Sequence, residues 1–316
     1  MADSLTHKKK EEKKEDKKKD KIKHLVISGG GPAGFLTYGA LKQLAIRNFW
    51  RLSDLKSIYG CSVGAFFGVI VSLGYDWEWL DDYFIKRPWE KLLHISALTF
   101  FEKKGLLDET FIAESIASLL SAKDLNVSIT LKEFYAYNNI DIHMYTTNIN
   151  TPLIEKVDLS HTTHPDLTVI QALTMSMCYP FLFKPVCLNE HECYIDGGLL
   201  NNYPLNDCLV QQKCDASEIL AFKNVWRDAD DDMMNREQEN KRCIKEESSV
   251  LDFLIVLMQK MHSFINTERL QPDVPNTLYC QIDNMEGLDR WLHALTDEDT
   301  RKMMIEKGAM QAEAFL

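Results

Sequence analysis

The sequence predicts an α/β protein, in which buried strands alternate with helices along the chain. Three places favour this class, because at each of them a short apolar run ends in a tight, glycine-containing turn. The apolar runs and the turns that end them are residues 22–28 with 29–34, 58–59 with 60–64, and 194–195 with 196–198. After each of the first two turns the apolar residues recur at the spacing of a helix.

The remaining elements follow in chain order from apolar spacing and from turn residues. Helices are expected at residues 35–46, 65–73, 76–85, 107–120, 130–137, 168–177, 205–211, 248–265 and 297–315. Further strands are expected at residues 140–148, 153–157, 218–225 and 276–282. Two segments have two open roles. The aromatic residues of 88–101 either fill the core or line an acyl pocket or lid, and the helix at 248–265 either packs on the core or presents a membrane or substrate-access face.

Length and composition are those of a globular protein with a large core. The chain has 316 residues, of which 45% are hydrophobic and 26% are charged. No apolar run reaches the roughly 18 residues that a membrane-spanning helix needs, and the N-terminus lacks the pattern of a signal peptide. The cysteines show neither CxxC nor zinc-site spacing, so we expect reduced thiols. These features predict an intracellular, cytoplasmic protein, with peripheral membrane contact left open.

Charge is distributed unevenly along the chain. Residues 1–23 contain ten lysines and six acidic residues, whereas the whole chain has a net charge of −11. The acidic remainder argues against a nucleic-acid partner. We expect residues 1–22 to form a disordered, Lys/Glu-rich tail and residues 23–316 to form a single folded domain. The tail has two open roles, as an electrostatic tether to anionic lipid or as a solvated segment without a partner.

The turn Gly60-Cys61-Ser62-Val63-Gly64 contains the candidate nucleophile. A Gly-x-Ser-x-Gly turn between a strand and a helix presents the serine hydroxyl above the sheet. Gly60 and Gly64 are needed because a Cβ atom would clash where the backbone is crowded. The positive end of the following helix points at Ser62. The alternative interpretation is an ordinary strand-to-helix turn that contains a serine.

The glycine-rich loop, with Gly29, Gly30, Gly31 and Gly34, has two candidate functions. Its backbone N–H groups lie at a helix N-terminus, where they suit a negative charge. The spacing matches the dinucleotide-binding fingerprint, but that fold needs an acidic residue at the end of the second strand, which here ends in the serine turn. The other function is an oxyanion hole, in which these N–H groups face the carbonyl oxygen attacked by Ser62.

Three elements therefore stand in a fixed order: the glycine loop, the serine turn, and Asp196-Gly197-Gly198 followed by an Asn-Tyr-Pro sequence. In these motifs, and in the stretch 168–186 that contains Ser176, the chain resembles the patatin-like phospholipase family from about residue 23 to residue 205. The resemblance implies a three-layer α/β/α sandwich around a mostly parallel central sheet. Residues 23–316 would then be a single catalytic domain.

The resemblance also implies the chemistry. Ser62 would be the nucleophile, Asp196 its only catalytic partner, and residues 29–34 the oxyanion loop, without a metal or cofactor. The substrates would be membrane phospholipids or other lipid esters. The chain departs from the family at Ala33, where relatives often have lysine or arginine. Because the backbone donors remain, this departure would affect the efficiency more than the reaction type.

Two other functions stay open. One is a catalytically weak lipid-binding or regulatory protein that keeps the fold. The other is an α/β-hydrolase esterase with a Ser-Asp-His triad, but that fold places several strands before the serine turn, and here only one precedes it. The histidines after Ser62 lack a triad context. His161 and His164 have a spacing that suits a metal, but we expect a loop there and no acid or cysteine to complete the set.

Overall fold

The chain folds around one large sheet, as seen in a computed structural model that describes residues 21–93, 97–226, 248–267, 271–282 and 288–316, with residues 244 and 246. The strands are β1 His24–Ile27, β2 Ser57–Cys61, β3 Gly105–Leu107, β4 Asp141–Asn148, β5 Glu155–Leu159, β6 Phe181–Phe183, β7 Val186–Asn189, β8 Glu192–Asp196, β9 Ile219–Trp226 and β10 Thr277–Ile282. The helices are α1 Gly34–Ile46, α2 Val63–Ser72, α3 Trp77–Lys86, α4 Ala97–Lys103, α5 Glu109–Ser121, α6 Leu131–Asn138, α7 Val169–Met177, α8 Gly198–Asn201, α9 Leu205–Gln212, α10 Val250–Thr267, α11 Leu288–Thr296 and α12 Glu298–Phe315. Short 3-10 helices lie at Gly31–Ala33, Leu52–Asp54, Trp89–Leu92 and Ala216–Glu218.

The central sheet has the strand order β10-β9-β1-β2-β4-β8-β7, and β5 also pairs with β4. The strands from β10 to β4 are mutually parallel. Strands β5 and β8 run antiparallel to β4, and β7 runs antiparallel to β8. The short strands β3 and β6 form a separate parallel pair. The predicted α/β class with a mostly parallel central sheet is therefore confirmed.

Helices cover both faces of this sheet. Leu25 and Ile27 of β1 point into the larger core, which also contains buried residues of α1, α2, α5 and α7. Val26, between them, points into a second core with Leu205 and Cys208 of α9. Side chains alternate between the two faces of a strand, so the two cores lie on opposite sides of one sheet. The result is the three-layer α/β/α arrangement.

Most predicted elements are present, and the differences have local causes. The helix expected from residue 107 begins at Glu109, because the Asp108 side chain accepts a hydrogen bond from the Thr110 N–H at 3.0 Å and caps it. Gly105–Leu107, just before this cap, is a strand instead. The helix Leu288–Thr296 was not expected from the sequence. In the aromatic segment 88–101, Trp89 is buried and Phe101 is exposed.

The cysteine prediction is wrong for one pair. Cys187 and Cys193 lie opposite each other in the β7–β8 hairpin and form a disulfide. Cys61, Cys178 and Cys280 are free and buried, and Cys243 lies outside the described residues. The thiols that remain free therefore belong mainly to the cores.

The predicted tail lies outside the described residues except for its last two positions. Lys21 Nζ lies 3.1 Å from Asp54 Oδ1, and Ile22 is buried in the larger core. In the part of the chain that the structure describes, no helix is both long and apolar enough to cross a bilayer.

Candidate active site

Ser62 lies in a strained turn between β2 and α2, with φ 53° and ψ −129°. A positive φ is uncommon for a residue with a side chain and is typical of functional turns. A Cβ atom on Gly60 would lie 2.6 Å from the Ala65 backbone, and one on Gly64 would overlap the carbonyl oxygen of Ile27. The crowding that was predicted for both glycines is therefore confirmed.

The backbone of this turn is fixed by Ser176 at the end of α7. The Ser62 N–H donates a hydrogen bond to Ser176 Oγ at 3.0 Å. The Ser176 hydroxyl in turn donates to the carbonyl oxygen of Tyr145 in β4 at 2.7 Å. Ser176 is fully buried, so this short chain of hydrogen bonds attaches the serine turn to the centre of the sheet.

Strand β4 brings the two residues of the proposed dyad together. Cys61, the last residue of β2, pairs with Tyr145, whereas Asp196, the last residue of β8, pairs with the next residue, Thr146. Ser62 and Asp196 are 134 positions apart in the sequence, and this register places them next to each other. Gly197, directly after the acid, packs so closely on the Tyr145 carbonyl that a Cβ atom would not fit.

Asp196 is buried, with 3% of its surface exposed. Burial raises its pKa to about 6, although hydrogen bonds from the Ser62 hydroxyl and the Gly198 N–H lower it in part. The Gly198 N–H donates to Asp196 Oδ1 at 2.7 Å. Asp196 Oδ2 has no hydrogen bond of regular geometry within the described residues, although the Ser62 hydroxyl is close enough to the carboxyl to affect its pKa.

The glycine loop lies beside Ser62, since a Cβ atom on Gly29 would be 3.2 Å from the Ser62 Cβ. The Gly29 N–H is already used, because it donates to the carbonyl oxygen of Asn202 at 3.1 Å. The Gly34 N–H is also used, by carbonyl oxygens of the loop itself.

Gly30 and Gly31 hold the N–H groups of this loop that remain without a partner in the described part of the chain. Of the predicted set of four glycines, two therefore have N–H groups that no other described residue uses. Ala33 is fully buried, so the position where relatives often carry a cation is filled here by a methyl group.

Two of the histidines that follow Ser62 in the chain pair with carboxylates other than Asp196. His143 Nδ1 is 2.9 Å from Asp158 Oδ2, and His161 Nδ1 is 3.0 Å from Asp141 Oδ1. Asp141, in β4, thus lies beside His161, which follows the paired strand β5. Even so, no group of three or more His, Cys, Asp or Glu among the described residues is placed to hold a metal ion.

Helix α10 brings His262 to the turn at residues 196–198. A Cβ atom on Gly198 would lie 3.4 Å from His262 Cε1. Burial lowers the pKa of His262 to about 4, and a hydrogen bond with the Gly198 backbone opposes this in part. Among the described residues no histidine hydrogen-bonds to Ser62 or Asp196, so His262 contacts the turn that holds the acid.

The chain is similar to several known proteins. A family model described as patatin-like phospholipase matches residues 25–209. The "Uncharacterized protein R571" of Acanthamoeba polyphaga mimivirus is 28% identical over 209 residues, which are 64% of this chain and 66% of that protein. The "Probable lipid hydrolase 463L" of Invertebrate iridescent virus 6 is 28% identical over 189 residues, 58% of this chain and 62% of that protein. Each match therefore spans less than two thirds of the viral relative.

A solved structure shares the fold. The crystal structure of VipD from Legionella pneumophila superimposes with a TM-score of 0.56 at 16% identity, over 91% of this chain and 67% of that chain. The family match covers more than half of the sequence and includes the glycine loop, the serine turn and the Asp-Gly-Gly turn. This chain thus belongs to the patatin-like phospholipase family.

Proposed function

We propose that this chain is a lipid acyl hydrolase that cleaves carboxylic esters of phospholipids or related lipids with a Ser62–Asp196 dyad. The observation that carries the proposal is the strained Ser62 turn beside a buried carboxyl whose pKa is about 6. Membership of the family supports the substrate class, as does the viral relative named a probable lipid hydrolase.

The reaction is a two-step acyl transfer. Ser62 Oγ attacks the ester carbonyl carbon while its proton passes to Asp196. The bond to the alcohol then breaks, and Asp196 returns the proton to the leaving oxygen. Water repeats these steps on the acyl-enzyme, releasing the fatty acid and freeing Ser62. Asp196 suits this role, because a carboxyl with a pKa of about 6 is a stronger base than a free one with a pKa of about 3.9 and is still ionised at neutral pH.

The negative charge that develops on the carbonyl oxygen needs hydrogen-bond donors. The N–H groups of Gly30 and Gly31, which bind no other group in the described part of the chain, belong to the loop beside Ser62. One such donor contributes roughly a hundred- to thousandfold in rate in known enzymes. These two amides therefore form the oxyanion hole in this proposal.

Contact with a lipid surface is part of the same proposal. Helix α10 touches the catalytic turn through His262, and its outer side exposes large apolar side chains. These are Val250, Phe253, Leu257, Met261 and Phe264. Exposed apolar residues at helical spacing next to a lipid-cleaving site favour contact with the membrane that holds the substrate.

The direct test incubates the purified protein with mixed phospholipid vesicles and identifies the released products by mass spectrometry. We expect fatty acid and lysolipid from the wild type and none from Ser62→Ala. A fluorophosphonate probe should label the wild type and leave Ser62→Ala unlabelled. Absence of both release and labelling in a folded, vesicle-binding wild type would contradict the hydrolase and favour the catalytically weak lipid-binding alternative.

A further inference from the structure

Asn224 in β9 reaches the glycine loop through the pairing of two strands. Strands β1 and β9 are parallel, with Ile27 opposite Phe222, so residue 224 lies beside residue 29. The Asn224 Nδ2 atom donates a hydrogen bond to the Gly29 carbonyl oxygen at 3.1 Å. The Asn224 backbone N–H donates to Ser28 Oγ at 2.8 Å. The side chain therefore holds the loop at the residue that packs on Ser62.

A second hydrogen bond fixes the orientation of this side-chain amide. The hydroxyl of Thr37, on α1, donates to Asn224 Oδ1 at 3.0 Å. An amide has one oxygen acceptor and one NH2 donor. Because Thr37 binds the oxygen, the NH2 group faces the loop. Thr37 is buried, and α1 begins directly after the loop, so loop, amide and helix form one connected unit.

The Gly29 carbonyl and the Gly30 N–H belong to the same peptide unit. In a planar trans peptide the C=O and N–H bonds point in opposite directions, and the described backbone contains no cis bond. When Asn224 binds the carbonyl oxygen, it also sets the direction of the Gly30 N–H. Glycines on both sides give this peptide more rotational freedom than other residues would. A hydrogen bond from a residue outside the loop therefore helps to fix its orientation.

We propose that Asn224 is a positioning residue that aims the Gly30 N–H at the oxyanion. This inference rests on the proposed hydrolase function and adds a residue to its machinery. Asn224 acts through the loop whose N–H groups bind the substrate carbonyl oxygen, and negative charge develops on that oxygen during the reaction. Its loss should therefore slow the chemical step and leave ground-state binding of the ester nearly unchanged.

The test is Asn224→Asp, which keeps the shape and replaces the NH2 donor by an oxygen that repels the Gly29 carbonyl. For a soluble nitrophenyl ester we expect kcat to fall about ten- to hundredfold, with KM changed by less than about twofold. The same assay is run with the thiono ester, whose sulfur is a weaker hydrogen-bond acceptor. The preference of the enzyme for the oxygen ester over the thiono ester should shrink in the variant.

Two further variants complete the design. Thr37→Val removes the hydroxyl that orients the amide and should reduce the same preference by a smaller factor. It also keeps the test valid if Asn224→Asp does not fold. Asn138→Asp is the matched control, because Asn138 hydrogen-bonds to Ser72 at 3.1 Å, away from the loop, and its kinetics should equal those of the wild type.

The outcomes separate this inference from the proposed function. An active wild type, with an Asn224→Asp protein that keeps its kcat or loses equal activity on both esters, would overturn the role of Asn224 alone. If Asn224→Asp does not fold, unchanged ester preference in Thr37→Val overturns it. A folded wild type without activity on either ester would overturn the hydrolase itself, and the positioning role with it.

Discussion

Burial of Asp196 determines the pH range in which the proposed dyad can work. A carboxyl in water ionises near pH 3.9, whereas burial raises the pKa of Asp196 to about 6. A buried carboxyl of this kind titrates in nearly the same range as an imidazole, whose ordinary pKa is near 6.5, so the midpoint of a pH–rate profile alone does not distinguish the two groups.

We therefore predict that kcat/KM for a soluble ester rises with pH through a midpoint near 6, because Asp196 must lose its proton to act as a base. The midpoint should hardly move with temperature, since carboxylic acids ionise with little enthalpy and imidazolium ions with much more. Profiles measured at two temperatures check this. A midpoint that shifts strongly with temperature would indicate a histidine and would make His262 the first candidate.

The residues of the site differ in how well the sequence identifies them. Ser62 and Asp196 are flanked by glycines that the local backbone requires, so their motifs are visible in the chain. Ser176 lies in a stretch that resembles the family and Asn224 has no recognisable motif around it, and in neither case do the neighbouring residues indicate the hydrogen bonds. Their roles depend on which strands lie side by side, as in the pairing of β1 with β9, and one sequence does not contain that information.

At the level of elements, β4 and β5 contain a charged cluster away from the dyad. His143 lies between Asp141 and Asp158 and stacks on Tyr59 with ring centres 4.2 Å apart. Burial alone would lower the pKa of His143, but the hydrogen bonds and charges of the two carboxylates outweigh it and raise the pKa to about 9. The protonated histidine thus stabilises the pairing of these strands.

The sign of the pH dependence follows from this shift. The unfolded histidine has a pKa near 6.5, so its stabilising contribution is complete below that pH and is lost as pH rises through about 9. We predict that His143→Gln lowers the free energy of unfolding by about 1–3 kcal/mol at pH 6 and by much less at pH 10. Urea unfolding at both pH values measures the free energy of unfolding. An equal loss at pH 6 and pH 10 would contradict a stabilising role of the protonated His143 side chain. Ester hydrolysis should be retained, because His143 does not contact Ser62 or Asp196.

At the level of the whole molecule, the fold class was easier to predict than some of its individual elements and covalent links. Alternating apolar runs and glycine turns indicated the α/β class and the order of most elements. Helix α11 and the β7–β8 disulfide were missed, since the apolar face of α11 is short and cysteine pairing depends on strand register. The tail at residues 1–22 stays a prediction, as does the single catalytic domain of residues 23–316.

The outer surface of the molecule carries a further prediction. If the exposed side of α10 meets the membrane, Phe253→Ser with Phe264→Ser should weaken binding to phosphatidylcholine vesicles about tenfold or more. Hydrolysis of a soluble ester should stay at the wild-type level. Met310→Ser is the control, because Met310 is similarly exposed but lies on α12. If the wild type, the double phenylalanine variant and Met310→Ser bind vesicles equally in a sedimentation assay, the exposed side of α10 is not the membrane-binding face.

The central claim is that Asp196, and no histidine, is the base for Ser62. The most direct measurement compares kcat/KM for a soluble ester among Ser62→Ala, Asp196→Asn, the double variant and His262→Gln. We predict that the first three are equally inactive, because both residues serve one step and their losses do not add, while His262→Gln keeps part of its activity. An active Asp196→Asn protein together with an inactive His262→Gln protein would contradict the dyad and assign the base to the histidine behind Gly198.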